Sequence, residues 1–404
     1  MLEQLSLRKY LTAMSGILIV VGCVDLDAPA TMYPSAMIPG AHGKADSTVD
    51  KVNQAEYPLT CSEPPAGFNP NGVHVLGDGP HFEGWYYRAT NPATGESWVL
   101  ISAYWQNQKR ETFGFNELIH SPSGTIWKQV VTGLDLQRIQ QHAGVLDVRI
   151  GGLHLFEGGV QGTIDSNEFG PVELDWHIDS CAYWGGPSEW NNRWTMGWAT
   201  EAPGVPLRWH VDQLKGTTMG TVSFGGDTFR IDGSALHQEK NWGRSFPSSW
   251  VWFQSNVFDN RPDVAFAAAG GAIFPVSWSP DGYMAGLRWK DQFFTWRTQD
   301  GHRFSDVDFS IDEGTGTARW SMTAENLQHR MVLSVEAPAD EIVPIDVPTD
   351  DGLKVGAIEH LAAKTQIRLY RRTWSGWELM DTVNSQLMAA EAGGALARSH
   401  GLIP

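Results

Sequence analysis

The runs "YMAGLRWK" (283–290), "QFFTWRT" (292–298), "ARWSMTAEN" (318–326) and "RMVLSVEA" (330–337) are short, hold aromatic or β-branched residues and are separated by turn chemistry. Short strands of this kind are the strongest constraint on the fold, because each is stable only beside other strands. The same pattern runs through most of the chain. "GWYYRATNPATGESWVLISAYW" sets Asn91, Pro92 and Gly95 between two aromatic, β-branched runs, which predicts a hairpin. "LDVRIGGLHLFEGGVQGTIDS" and "GTVSFGGDTFRIDGSAL" read as meanders, and "WVWFQSNVF", "DVAFAAAGGAIF" and "TQIRLYRR" as further strands. An all-β chain is expected, with enough strands for two barrels or sandwiches. Only the late "SQLMAAEAGGALARSHG" reads as weakly helical.

The charge balance narrows the partners. A formal charge of -17 repels phosphate backbones, and no Lys/Arg-rich run offsets it, so nucleic acid is not an expected partner. Near the N-terminus, Arg8 and Lys9 precede the apolar run "LTAMSGILIVVG", too short to span a bilayer. The following "VVGC" resembles a bacterial lipobox, and cleavage before Cys23 would leave a cysteine able to carry acyl chains. Residues 1–22 are therefore expected to be a lipoprotein signal peptide and Cys23 the lipidation site. The body is then tethered to a bacterial envelope membrane, at the outer membrane or the periplasmic face. Residues 23–72, rich in Pro, Gly, Ala and Ser without periodicity, read as a flexible linker. Cys61 and Cys181 are the other two cysteines; they either pair in an oxidising compartment or remain buried thiols. No CxxC or HxxxH spacing suggests a metal or redox centre, and no cofactor is expected.

Three long motifs, "HFEGWYYR", "EKNWGRSFPSSWVWFQSNVF" and "RWSMTAENLQHRMVLSVEA", occur in this order with "WTMGWATE" before the second and "MDTVNSQLMAAEAGG" near the end. Together they resemble the tocopherol cyclase family over roughly residues 74 to 394. The resemblance implies two lipocalin-like β domains, here 73–235 and 236–395 with a tail at 396–404. It also implies acid-assisted cyclisation of a prenylated quinol, or a related rearrangement of another isoprenoid or polyketide lipid. Such chemistry protonates an alkene and traps the tertiary cation with a phenol oxygen. A carboxylic acid kept protonated by burial, facing aromatic rings, meets that need.

Strand alternation sorts the candidates. In 81–88, His81, Glu83, Trp85 and Tyr87 share one face, while Phe82, Gly84, Tyr86 and Arg88 share the other. In "HQEKNWG", His237, Glu239 and Asn241 alternate against Gln238, Lys240 and Trp242, and Trp252, Gln254 and Asn256 form a mixed row farther on. Glu239 or Glu83 is the candidate acid, and His81 or His237 the acceptor of the phenol proton. Trp242 and Trp252 are expected to form a cation-facing wall. Trp85, Tyr87, Lys240, Asn241, Gln254 and Asn256 complete the set expected to bind a hydrophobic small molecule or lipid. Structural readings stand beside these: Trp85 as a barrel-end plug, Glu83 and His81 as a hydrogen-bonded pair, Glu239 and Lys240 as ion pairs between domains. A non-catalytic lipid carrier is the rival function.

Overall fold

The computed structural model describes residues 69–74, 79–185, 194–202, 205–273, 280–349 and 351–404. The expected signal peptide, Cys23, Cys61 and nearly all of the expected linker lie outside the described residues. All described residues fall in one compact unit.

The first sheet takes its strands from His81–Thr90 (β1), Ser97–Gln106 (β2), Thr112–Ser121 (β3), Thr125–Thr132 (β4), Asp147–Ile150 (β5), Gly152–Phe156 (β6), Gly159–Ser166 (β7), Gly170–Ser180 (β8), Leu207–Phe224 (β9), Asp227–Arg230 (β10) and Ser234–Gly243 (β11). The second comprises Ser249–Ser255 (β12), Val264–Ala272 (β13), Asp281–Trp289 (β14), Gln292–Arg297 (β15), Arg303–Asp312 (β16), Thr317–Glu325 (β17), His329–Pro338 (β18), Val343–Thr349 (β19), Gly352–Thr373 (β20) and Gly376–Gly394 (β21). The protein is thus all-β, with two large curled antiparallel sheets of eleven and ten strands.

Sheet one is ordered β4-β3-β2-β1-β11-β9-β8-β7-β6-β5, with β10 paired to β9. Most neighbours are joined by hairpins; the long-range pairing is β1 with β11, in register from Phe82 opposite Gly243 to Thr90 opposite Ala235. The expected meanders are present, and the β9–β10 turn relies on Gly225 and Gly226 at φ of 60° and 92°, values that side chains with a Cβ rarely adopt. Sheet two is ordered β15-β14-β13-β12-β21-β20-β18-β17-β16, with β19 on β20.

Each sheet curls around its own core. Trp85, Tyr87, Leu100, Trp127, Leu155, Ile164 and Trp176 meet inside the first, and Phe253, Phe266, Trp296, Trp320, Leu333 and Ile367 inside the second. A third core joins the sheets' outer faces, where Val99, Ile119, Trp209 and Val211 of sheet one pack on Trp250, Trp252, Ala265, Ala357, Leu361 and Ala389 of sheet two.

The late segment differs from its sequence reading. Residues 385–394 are the end of β21, and helix appears only at Ala395–Arg398. Its alanines serve two layers: Ala390 and Ala392 enter the second core and Ala389 the inter-sheet core. Small side chains let the two layers approach closely, and that tertiary demand overrides the helix propensity of alanine.

Candidate active site between the two sheets

The alternation of β1 assigns its side chains to two different environments. Glu83, Trp85 and Tyr87 point into the first core, whereas Tyr86 and Arg88 reach the second sheet. On β11, Gln238 and Lys240 turn to the same inner side, donating to the Tyr87 hydroxyl (3.0 Å) and to Glu83. His237 and Glu239 turn outward to meet Trp252 of β12.

Glu83 lies at the hub of the inner network. Its carboxylate pairs with the Lys240 ammonium at 2.5 Å, and accepts hydrogen bonds from the Tyr104 hydroxyl and the His74 backbone N–H. His74 Nδ1 is a further 2.9 Å contact. Burial alone would raise the Glu83 carboxyl, but Lys240 and His74 outweigh it and hold it below the usual carboxylate range. That favours the ionised form rather than a proton donor. Lys240 also donates to the Gly72 carbonyl and lies 4.9 Å from the Trp85 ring, while the Trp85 indole N–H donates to Asn71 O (2.9 Å) and Trp242 stacks on His74 (4.2 Å). These contacts bind the segment before β1 across the first core, a structural task.

The outer network gathers three carboxyl side chains from distant parts of the chain. Glu359 on β20 and Glu391 on β21 are directly paired across the strands, Glu391 is also paired with Trp252 of β12, and Glu239 of β11 faces them from sheet one. Glu359 is fully buried. Burial, then the charge of Glu391, pushes its pKa up to about 8, against the pull of Arg88 and of the Tyr86 hydroxyl, which donates to Oε1 at 3.2 Å. Its other oxygen, Oε2, has no partner among the described residues. Glu391 keeps some exposure; burial pushes it up to about 7, opposed by the hydrogen bond that it accepts from the Trp250 indole N–H. Two carboxyl groups with raised pKa values thus sit among Tyr86, Trp250 and Trp252, the last ring 5.1 Å from Tyr86.

Glu239 plays a different part. Its Oε2 accepts from the Trp252 indole N–H (3.0 Å) and meets His237 Nε2 at 2.9 Å. With Nε2–H committed to that carboxyl group, His237 Nδ1, buried and unpartnered among the described residues, is left as an acceptor. Arg88 closes the arrangement from sheet one, donating to Gln254 Oε1 (2.8 Å), Leu361 O (2.5 Å) and Leu387 O (3.1 Å) of sheet two.

A cleft of about 320 Å³ opens between the sheets beside this network. Trp250 lines it and, through its bond to Glu391, forms its partition from the carboxyl groups. Gly393 leaves the space that the Trp250 ring fills: a Cβ there would lie 2.0 Å from the indole.

The structure therefore divides the sequence candidates. His237, Glu239, Trp252 and Gln254 come together between the sheets. Glu83, Trp85, Tyr87, Lys240 and Trp242 belong to the inner network of sheet one; His81 lines the cleft. Asn256 is buried just beyond β12 with an Nδ2 unpartnered among the described residues, and Asn241 is half-buried on β11. The sequence reading passed over Glu359, Glu391, Tyr86, Arg88 and Trp250. A signal for the first two was present: "VGAIEHLAA" and "LMAAEAGGA" each set a single glutamate among small apolar residues. Among the described residues no group of three or more His, Cys, Asp or Glu side chains is arranged to hold a metal ion. Cys181 is disulfide-bonded; both other cysteines lie outside the described residues.

A family model described as tocopherol cyclase-like matches residues 148–394. The chloroplastic tocopherol cyclase of Zea mays is 23% identical over 416 residues, which cover 89% of this chain and 85% of the plant protein. A probable chloroplastic tocopherol cyclase of Oryza sativa subsp. japonica is 27% identical over 152 residues, 36% of this chain and 30% of that protein. Among solved structures, a protein assigned as AttH from Nitrosomonas europaea superposes with a TM-score of 0.47 at 12% identity, covering 84% of this chain and 99% of its own. Kievitone hydratase from Nectria haematococca gives 0.38 at 12% identity, covering 78% and 89%.

Proposed function

The chain belongs to the tocopherol cyclase-like family, and from that premise we propose that it is an isomerase closing a ring in a prenylated phenol by proton transfer from Glu359. The observation that carries the reading is the Glu359 carboxyl group itself: fully buried, raised to about 8, with one oxygen anchored by Tyr86 and the other unpartnered. An acid of ordinary pKa would be ionised at neutral pH and could not donate. This one holds its proton.

In the proposed step Glu359 Oε2 gives its proton to a trisubstituted alkene, and the positive charge develops on the tertiary carbon. The faces of Trp252 and Tyr86 stabilise it without adding to it. The phenol oxygen attacks that carbon, forming the C–O bond, and its proton passes to His237 Nδ1. Glu239, bonded to Nε2, steadies the resulting imidazolium, much as a carboxylate orients a catalytic histidine. Return of that proton to Glu359 resets the site, so substrate and product are isomers and nothing is consumed. Arg88 and the Tyr86 hydroxyl supply the charge and hydrogen bond that make the transient Glu359 carboxylate tolerable.

Glu359→Gln keeps the size and removes the transferable proton. Turnover of a prenyl hydroquinone is expected to fall by about 10² to 10⁴ while binding is retained. Glu391→Gln is the parallel variant, expected to act mainly through Trp250 and the pKa of Glu359. Should both variants convert substrate at the parent rate, the assignment is wrong. A parent protein that binds the lipid and never converts it is a carrier.

A further inference from the structure

The cleft beside Trp250 carries a charge that the rest of the molecule does not. The chain is acidic, at -17, yet among the described residues no Asp or Glu lines the cleft, while Arg244 and Arg398 both do. Both arginines are exposed, and neither makes an ion pair or side-chain hydrogen bond among the described residues. The walls include four aromatic rings, Phe82 stacked on Phe246 at 4.7 Å with Trp105 and Trp250, beside polar groups such as Gln106, Asn107 and Ser245.

One buried donor of the lining residues is also unpartnered among the described residues, the Trp105 Nε1–H. Buried polar groups are seldom left without partners, and an open N–H beside two cations marks a place built for an acceptor. An anionic oxygen satisfies it directly.

The geometry points to a substrate that bears an acidic group as well as its phenol: a prenylated hydroxybenzoate-type lipid whose carboxylate is held in the cleft by Arg244, Arg398 and Trp105. This inference rests on the cyclase reading and narrows its substrate class.

The test is calorimetric titration of the purified protein with 3-geranyl-4-hydroxybenzoate and with its methyl ester, which has the same shape without the charge. The acid is expected to bind at least about fivefold more tightly, a modest ratio because exposed ion pairs are individually weak. The Arg244→Gln, Arg398→Gln double variant should lower acid affinity to that of the ester and leave the ester unchanged. Equal binding of acid and ester, or acid binding that survives the double variant, overturns the acidic head group. If a neutral prenyl hydroquinone is still turned over in a Glu359-dependent way, the cyclase reading stands despite that failure. Binding of neither probe by a protein active on the hydroquinone also overturns it.

Discussion

Two glutamates in similar hydrophobic surroundings have opposite states, and their partners decide the difference. Glu83 lies beside an ammonium and three further hydrogen-bonding contacts, so its charge is satisfied; Glu359 lies beside other carboxyl groups, so its charge is opposed. The consequence is measurable in stability as well as in rate. The native state keeps the Glu359 proton up to about pH 8, whereas the unfolded chain releases it near the ordinary value of 4.5. Between these limits the native state binds more protons, so this group makes stability fall as pH rises, by at most about 1.4 kcal/mol per pH unit. The slope disappears below about 4.5 and above about 8. Glu391, raised to about 7, and Asp212, also raised to about 7, act with the same sign, so the parent must be compared with a variant. Urea midpoints measured from pH 5 to 8 should decline less steeply in Glu359→Gln than in the parent. Equal slopes would mean that Glu359 is ionised in the folded protein. Sequence alone placed Glu239 and His237 correctly on one face of their strand but could not rank Glu239 against Glu83, because rank depends on Lys240, Tyr104 and His74 meeting Glu83 in space.

At the scale of elements, β1 and β11 carry the argument, since each presents one face to a core and the other to the opposite sheet. Alternation made that division legible in advance: Glu83 was separated from Tyr86 and Arg88 before any contact was known. It could not say which face held the chemistry. The proposed site lies on the outer faces, where the sheets pack, rather than in a barrel lumen. Most strands from 250 to 337 were also readable, because turns and β-branched or aromatic residues agree there; β16, Arg303–Asp312, was not expected. β21 was not, because an alanine-rich run has no apolar stripe of its own, and only the approach of two layers makes small residues the right choice. That approach is tightest where Gly393 lies under Trp250. In Gly393→Ala the new Cβ forces the indole to move, at an overpacking cost of about 1–3 kcal/mol. The fold should survive with a modestly lower Tm, but near-ultraviolet circular dichroism should change and turnover fall, because the Trp250 bond to Glu391 is lost. Unchanged aromatic dichroism and unchanged turnover would show that the ring position does not matter.

At the scale of the whole molecule, the site draws on residues from 86 to 391, a span that local periodicity cannot connect; the β1–β11 and β12–β21 pairings connect it. Attachment is a separate question of the same scale. We expect Cys23→Ser to move the protein from the membrane to the soluble fraction of its host, and retention in the membrane would remove the tether from the account. What joins the two sheets is mostly apolar contact, and buried Arg88 is one of the cations that orient it. Arg88 leaves sheet one and donates to Gln254, Leu361 and Leu387 on sheet two. Lys128 makes a second tie, to Glu117 at 3.0 Å in its own sheet and to Asp346 at 2.6 Å in the other, but it is more exposed and so worth less. Arg88→Met fills much of the same space while abandoning several buried acceptors, each costing about 1–3 kcal/mol. Because those acceptors lie across the interface, the loss falls on the coupling between sheets rather than on either core. The parent should therefore melt in one calorimetric transition, and Arg88→Met in two, with turnover lost below the first because the carboxyl cluster is divided between the sheets. A variant that still melts in one transition at the parent temperature would show that the apolar contacts alone hold the site together.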